Sequence, residues 1–184
     1  MVKYKIKVLV FGGSGFIGIN LINRLIEMNY DVTSFSKNII SNNKKIINVK
    51  YLHGDITLYS NIRNKLKNKK FDYVINLSGY GEHQLLKRGG IDVVKDHYIG
   101  NLNISNYFLN KKIKRFIQIG SSDEYGKNVS PQQEKYREQP FTPYSFAKTS
   151  STHYYQMLYK SENFPVVIIR LFIVCGPFQK KNRL

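Results

Sequence analysis

Tyr144 and Lys148 stand four residues apart in a stretch, Pro143 to Tyr159, that reads as a helix. That spacing puts both side chains on one helical face. An ammonium beside a phenol favours the phenolate. Such a pair can give or take a proton at a sugar or alcohol oxygen. Tyrosines and lysines are plentiful in this chain, so a packed ring beside a solvated lysine is the bland alternative. A second group lies upstream, in Gly120-Ser121-Ser122-Asp123-Glu124-Tyr125-Gly126. It follows a run that reads as a strand, and ligands of open α/β sheets bind at that end of strands. A third is Gly12-Gly13-Ser14-Gly15-Phe16-Ile17-Gly18, set between a strand and a helix. Glycines there let the backbone turn tightly and approach a ligand. The helix start then offers unpaired N–H groups to an anion, in this context the pyrophosphate of a dinucleotide. The glycines fall three apart, unlike the G-x-G-x-x-G of many dehydrogenases.

The elements that must position these residues alternate. Strands are expected at Lys5 to Phe11, Asp31 to Phe35, Val49 to His53, Tyr73 to Leu77, Arg115 to Gly120 and Val166 to Leu171. Helices are expected at Ile17 to Glu27, Ile56 to Asn68, Asp92 to Asn110 and Pro143 to Tyr159, the last with Thr142 as N-cap and Pro143 at its first position. Apolar strands alternating with helices predict a parallel, doubly wound α/β sheet of Rossmann-like type. Gly126 to Phe141 is long for a connection, which suggests a functional loop. There is no internal repeat.

The chain has 184 residues, enough for one domain with a real core, and its 42% hydrophobic content excludes a disordered chain. The single cysteine, Cys175, excludes an internal disulfide and fits a reducing compartment. The apolar run before Gly12 is too short for a signal peptide or membrane span, so a cytoplasmic, soluble protein without a membrane partner is expected. The net charge of +17 raises the question of nucleic acid. The lysines are scattered along the chain. Their densest clusters, Lys65 to Lys70 and Lys111 to Arg115, fall at helix C-termini, where cations suit the helix dipole. Solvated helix ends are therefore expected, with no nucleic-acid partner.

Together these motifs make the chain resemble the extended short-chain dehydrogenase/reductase family, in its nucleotide-sugar epimerase/dehydratase/reductase branch. The matching pieces are Gly12-x-x-Gly15-x-x-Gly18, Gly54-Asp55-Ile56, Ser121 to Gly126, Tyr144-x-x-x-Lys148 and Arg170-Leu171-Phe172-x-Val174-Cys175-Gly176-Pro177, in family order. The resemblance implies that Tyr144 is the catalytic acid/base. It implies that Lys148 binds the nicotinamide ribose and eases ionisation of Tyr144. Ser121, or Ser122 if the loop is shifted by one residue, would bond the reacting oxygen. Gly12, Gly15, Phe16, Ile17 and Gly18 would hold the dinucleotide. Asp55 and Ile56 would contact adenine, and Leu77, Ser78 and Gly79 would line the cofactor.

At the end of the second strand, NAD-binding relatives carry an acid for the ribose 2′-hydroxyl. Ser36, followed by Lys37, takes that place and suits a 2′-phosphate, so NADP(H) is expected over NAD(H). That choice points to NADPH-linked reduction of a 4-keto nucleotide sugar. A 4-epimerase or 4,6-dehydratase with retained NAD is the alternative, and a non-catalytic dinucleotide-binding module is a further one. Asp123 and Glu124 read either as a shifted dehydratase pair or, preferably, as loop residues. The chain departs from the family at Ile173 and His97, where asparagines are usual. His97 is expected to be a packing histidine, and His53, His83 and His153 are unclustered, so no metal site is expected. The family also continues into a C-terminal substrate domain, which is expected to be largely missing from residues 1–184. A homodimer through the helices at 92–110 and 143–159 is expected, with Tyr154, Tyr155 and Leu158 facing either the partner or the core.

Overall fold

The computed structural model describes residues 4–79 and 84–179. Six strands form one parallel sheet: β1 (Lys7–Phe11), β2 (Asp31–Ser36), β3 (Val49–His53), β4 (Tyr73–Asn76), β5 (Arg115–Ser121) and β6 (Val166–Leu171), in the order β3-β2-β1-β4-β5-β6. The helices are α1 (Phe16–Glu27), α2 (Tyr59–Leu66), α3 (Gly90–Val94), α4 (Gly100–Phe108) and α5 (Pro143–Glu162). The doubly wound sheet is therefore as expected. The chain runs outward from β1 to β3, then returns to add β4, β5 and β6 on the other side. That reversal opens a crevice at the C-terminal ends of β1 and β4, where ligands of such sheets bind.

Strand alternation builds two cores. On one face Leu9, Phe11, Phe35, Val74 and Phe116 pack with Ile62 and Leu66 of α2, Ile104 and Phe108 of α4, and Tyr155 and Leu158 of α5. On the other, Val8, Val10, Val32 and Ile75 pack with Ile22 and Leu25 of α1. Residues one apart on β1 point to opposite faces, which is why a doubly covered strand reads as an unbroken apolar run.

Some boundaries differ from those expected. α2 starts at Tyr59 rather than Ile56, because the Asp55 carboxylate accepts from both the backbone N–H (2.8 Å) and the hydroxyl (2.7 Å) of Thr57 and holds a turn there. The expected helix from Asp92 to Asn110 carries one turn of π-helix, Lys95–Ile99, between α3 and α4. Tyr155 and Leu158 lie in the core, and Tyr154 is half-buried with its hydroxyl bonded by Ser105 (3.1 Å). These three residues therefore face inward.

Candidate functional site

The turn from β1 to α1 closes against the loop after β4. Gly12 adopts φ +76°, in the left-handed region, and a Cβ there would stand 2.7 Å from the Leu77 carbonyl oxygen. A Cβ at Gly18 would stand 2.5 Å from the Gly12 oxygen, so the first turn of α1 rests directly on the glycine turn. Gly15 is the N-cap of α1, is exposed and makes no side-chain cap bond. The helix start thus presents its N–H groups at the crevice. The Ser14 N–H donates to the Ser36 hydroxyl (3.3 Å), which brings the end of β2 to the same place.

Lys37 is exposed beyond it. Its ammonium lies 2.9 Å from an Asp55 oxygen and 3.8 Å from Asp96. Burial opposes the Asp55 charge, but hydrogen bonds from Thr57 and Lys37 outweigh it and hold that carboxyl below its ordinary pKa. For Asp96 burial dominates and raises the pKa against the pull of Lys37. Ile56 is half-buried, touches Gly100, and gives its carbonyl to Asn103 (2.9 Å).

The tyrosine and lysine of α5 meet the same edge. Thr142 caps the helix, accepting from the Ser145 N–H at 3.0 Å, with Pro143 in its first turn, as the sequence predicts. Lys148 is buried, not solvated. Its ammonium donates to the Ile119 carbonyl of β5 (2.9 Å) and lies 5.7 Å from the centre of the Tyr144 ring. Burial brings its pKa down to about 8, against a smaller upward pull from the Glu124 charge. The Tyr144 ring stands edge-on to His97, with centroids 5.1 Å apart. His97 is buried in the π-helical turn, and a Cβ at Gly79 would overlap its ring. An unbroken set of contacts therefore runs from Gly12 through Leu77, Ser78 and Gly79 to His97, Tyr144 and Lys148. The expectation of His97 as a packing residue holds, and what it packs is the candidate catalytic ring.

Ser121 ends β5, two residues past the carbonyl that holds Lys148, and Ser122 follows at half burial. The Ser121 hydroxyl accepts from the Asp123 N–H (3.2 Å), and its own N–H donates to Glu124 (2.8 Å), capping the turn Ser122–Tyr125. Glu124 is fully buried and accepts from Thr152 (2.7 Å) and Arg170 (2.9 Å). Arg170 also pairs with Glu138, which ties the Gly126 to Phe141 loop to β6. Sequence reasoning missed this buried Glu124–Arg170–Glu138 system. It also missed the amide cluster beneath the site, where Asn76 donates to Asn101 (2.6 Å) and Gln118 (2.9 Å).

A family model for the NAD dependent epimerase/dehydratase family matches residues 8–184. The chain belongs to that family. It is 27% identical over 201 residues to a dTDP-D-glucose 4,6-dehydratase of Dictyostelium discoideum, covering 97% of this chain and 46% of the relative. It is likewise 27% identical over 179 residues to an ADP-L-glycero-D-manno-heptose-6-epimerase of Brachyspira hyodysenteriae, covering 92% and 55%. A UDP-glucuronic acid 4-epimerase from Bacillus cereus, solved with UDP-glucuronic acid and NAD, shares the fold at a TM-score of 0.82 and 24% identity, over 95% of this chain and 59% of that one. The chain thus spans about half the length of the curated relatives it matches. Among the described residues, no three His, Cys, Asp or Glu side chains gather to hold a metal, and no helix is long and apolar enough to cross a membrane. His83 lies outside the described residues.

Proposed function

We propose that this member of the epimerase/dehydratase family binds a nicotinamide dinucleotide at the β1–α1 turn and oxidises and re-reduces a nucleotide sugar at the carbon facing Tyr144. The observation that carries the reading is Lys148: a buried ammonium fixed to β5 beside the Tyr144 ring, at the same sheet edge as the glycine turn. The residues fit the group. A glycine cradle that a Cβ would fill meets an uncapped helix start, which suits a pyrophosphate. Gly12, Gly15 and Gly18 would hold it with Phe16 and Ile17. Asp55 and Ile56 would flank adenine, and Leu77, Ser78 and Gly79 the nicotinamide side. When bound, the nicotinamide supplies the hydride acceptor and donor. Tyr144 takes the proton from the sugar hydroxyl as oxidation begins and returns it as the ketone is reduced. The Lys148 ammonium stabilises the phenolate between those events. Ser121 or Ser122 would hold the sugar oxygen at the end of β5.

Two observations favour one of the family's reactions. Glu124 is locked in a buried pair with Arg170, so it is not poised to move protons in a dehydration. Lys37 already serves two carboxylates, which would repel a 2′-phosphate. Both favour epimerase-type chemistry with retained NAD. The second reading, NADPH-linked reduction of a 4-keto nucleotide sugar, draws on Ser36, which leaves the end of β2 without an acid. Mass spectrometry of ligand released from purified protein decides between them. Retained NAD is expected, and NADP would establish the reductive reading. Protein that carries neither, and that neither NADH nor NADPH protects from melting, would refute both. Pairing of two copies across the helices expected at 92–110 and 143–159 is a further part of the proposal, supported by exposed Phe146 and Met157 on α5. Sedimentation of the purified chain as a monomer would remove it.

A further inference from the structure

The lysines are scattered in sequence but not in space. Parallel strands all start at one edge of the sheet, and the helices between them end there. Lys5 and Lys7 enter β1. Lys65, Lys67, Lys69 and Lys70 close α2 and lead into β4. Lys111, Lys112 and Lys114 follow α4, and Arg115 begins β5. These three strands are adjacent, in the order β1-β4-β5. Their starts are stitched together: the Asp72 N–H donates to the Lys7 carbonyl (2.8 Å), and the Lys114 N–H to the Asp72 carbonyl (2.7 Å). The Tyr107 hydroxyl donates to the Leu66 carbonyl (2.7 Å) and joins the ends of α4 and α2.

All ten cations are exposed, and among the described residues the acids set beside them are Asp72 and Asp31, whose N–H donates to the Ile6 carbonyl (2.9 Å) next to Lys7 and whose carboxylate pairs with Lys50 (2.9 Å). The whole chain has 29 cations and 12 acids, so these ten hold a third of the positive charge with two acids beside them, one already paired with Lys50. Asp72 pairs with Lys114 (3.3 Å), and Lys111 lies over the Tyr107 ring at 5.4 Å. Dipole compensation needs a cation or two per helix end. It does not account for three lysines after α2, beyond Arg63 and Lys65 in its last turn, and three more after α4. The expectation of no nucleic-acid partner rested on scatter along the chain, and folding removes that ground.

We infer that this basic edge, at the N-terminal ends of β1, β4 and β5, binds the phosphate backbone of double-stranded nucleic acid. Three strands ~4.8 Å apart span about 10 Å, and the ends of α2 and α4 lie ~10 Å to one side of them, so the footprint is about 10 Å in each direction. A duplex presents one charge per ~1.7 Å, so such a footprint meets about five phosphates. The recognition is of backbone and not of bases. The exposed aromatic at this edge, Tyr4, has its hydroxyl held by Asp72 (2.6 Å), and Tyr107 is half-buried. A bilayer would also attract the lysines, but Ile113 and Leu109 pack against the core, and the exposed ring of Tyr4 is tied by its hydroxyl to Asp72. The strands separate this edge from the glycine turn by about 16–20 Å, so a duplex here leaves the dinucleotide crevice open.

Anisotropy of a fluorescent 20-base-pair duplex titrated with the purified chain tests this. With about five phosphate contacts, affinity should fall roughly 500-fold between about 50 and 200 mM salt. The triple change Lys69→Glu, Lys70→Glu and Lys112→Glu should weaken binding at least about tenfold and flatten the salt slope by about three. A charge-matched control, Lys87→Glu, Lys127→Glu and Lys135→Glu, changes exposed lysines in segments that follow β4 and β5, beyond the other sheet edge. It should retain most of the affinity. Circular dichroism and urea midpoints verify that both variants fold. Equal loss in the two triples would overturn the inference, since net charge alone would then suffice. Absence of duplex binding at low salt would overturn it as well. Tighter binding to phosphatidylserine vesicles at equal phosphate would assign the edge to a bilayer instead.

Discussion

Replacing Lys148 by Met should make the protein more stable at neutral pH while destroying its chemistry. Lys148 is 6% exposed, and burial brings its pKa from 10.5 to about 8. At ~1.4 kcal/mol for each tenfold change in proton affinity, holding that ammonium inside costs about 3 kcal/mol. The cost is fully present below about pH 8, where the lysine is charged both folded and unfolded. Between about pH 8 and 10.5 the unfolded chain binds more protons than the folded one, so stability rises with pH through that window. Met fills a similar volume without a charge but leaves the Ile119 carbonyl without its donor, a loss of about 1 kcal/mol. The variant should therefore gain about 2 kcal/mol at pH 7 and lose that advantage by about pH 10.5. Urea unfolding of both proteins at several pH values measures this. Parallel stability curves across that window would show that Lys148 is not a buried cation, and the account of how it serves Tyr144 would fall with it.

Tyr144→Phe should abolish turnover in the full enzyme while leaving dinucleotide affinity within about twofold, measured by thermal shift; retained turnover would remove Tyr144 from the mechanism. Arg170→Met should cost about 3–5 kcal/mol in urea unfolding, because it strands the buried Glu124 charge, whereas Glu124→Leu combined with Arg170→Met should cost far less. Gly18→Ala should destabilise by about 1–3 kcal/mol, since its Cβ meets backbone atoms of the glycine turn that cannot rotate away. The same variant should weaken dinucleotide binding more than Tyr144→Phe does.

The sheet was legible because parallel strands covered on both faces read as apolar runs such as Val8 to Phe11, and because Thr142-Pro143 and Gly12 to Gly18 carry local conformational signals. The tyrosine–lysine pair stood out as a candidate through its combination with the glycine turn and the serine segment after β5, its spacing alone being common, and its burial was not legible: nothing local distinguishes Lys148 from a solvated lysine. The π-helical turn at Lys95–Ile99 was illegible, since one extra residue in a turn leaves the apolar pattern of a long helix nearly unchanged. Glu124 was illegible for another reason. Its partners Thr152 and Arg170 lie 28 and 46 residues away, and only the closing of α5 and β6 onto β5 brings them together. The basic edge was hidden in the same way, divided among three segments that the fold makes neighbours.

The distribution of buried polar groups marks the site without reference to any motif. Toward the C-terminal edge of the sheet, β4, β5, α4 and α5 enclose Asn76, Gln118, Asn101, Ser151, Lys148, Glu124 and Thr152, all buried. Toward the opposite end the same layer is filled by Phe116, Phe108, Tyr155, Leu158 and Phe164. Stability alone favours extending the apolar packing, because well-packed apolar residues can replace a buried ion pair at no loss and often at a gain. A folded chain that retains a buried ammonium, a buried carboxylate–guanidinium pair and an amide cluster at one end is holding groups in place against that gradient. What they hold is the Ile119 carbonyl, the π-helical turn and the start of α5, the three supports of Lys148, His97 and Tyr144. Replacing amides of the cluster by apolar residues, as in Asn76→Leu with Asn101→Leu, should cost about 2–5 kcal/mol, because it strands the buried Gln118 amide and Tyr155 hydroxyl, and leave the protein folded. It should nonetheless free the Tyr144 ring. Slow exchange of the two edges of that ring in the natural protein, lost in the variant, would be visible by tyrosine-selective NMR. A ring equally hindered in both would mean that the cluster supports only the fold.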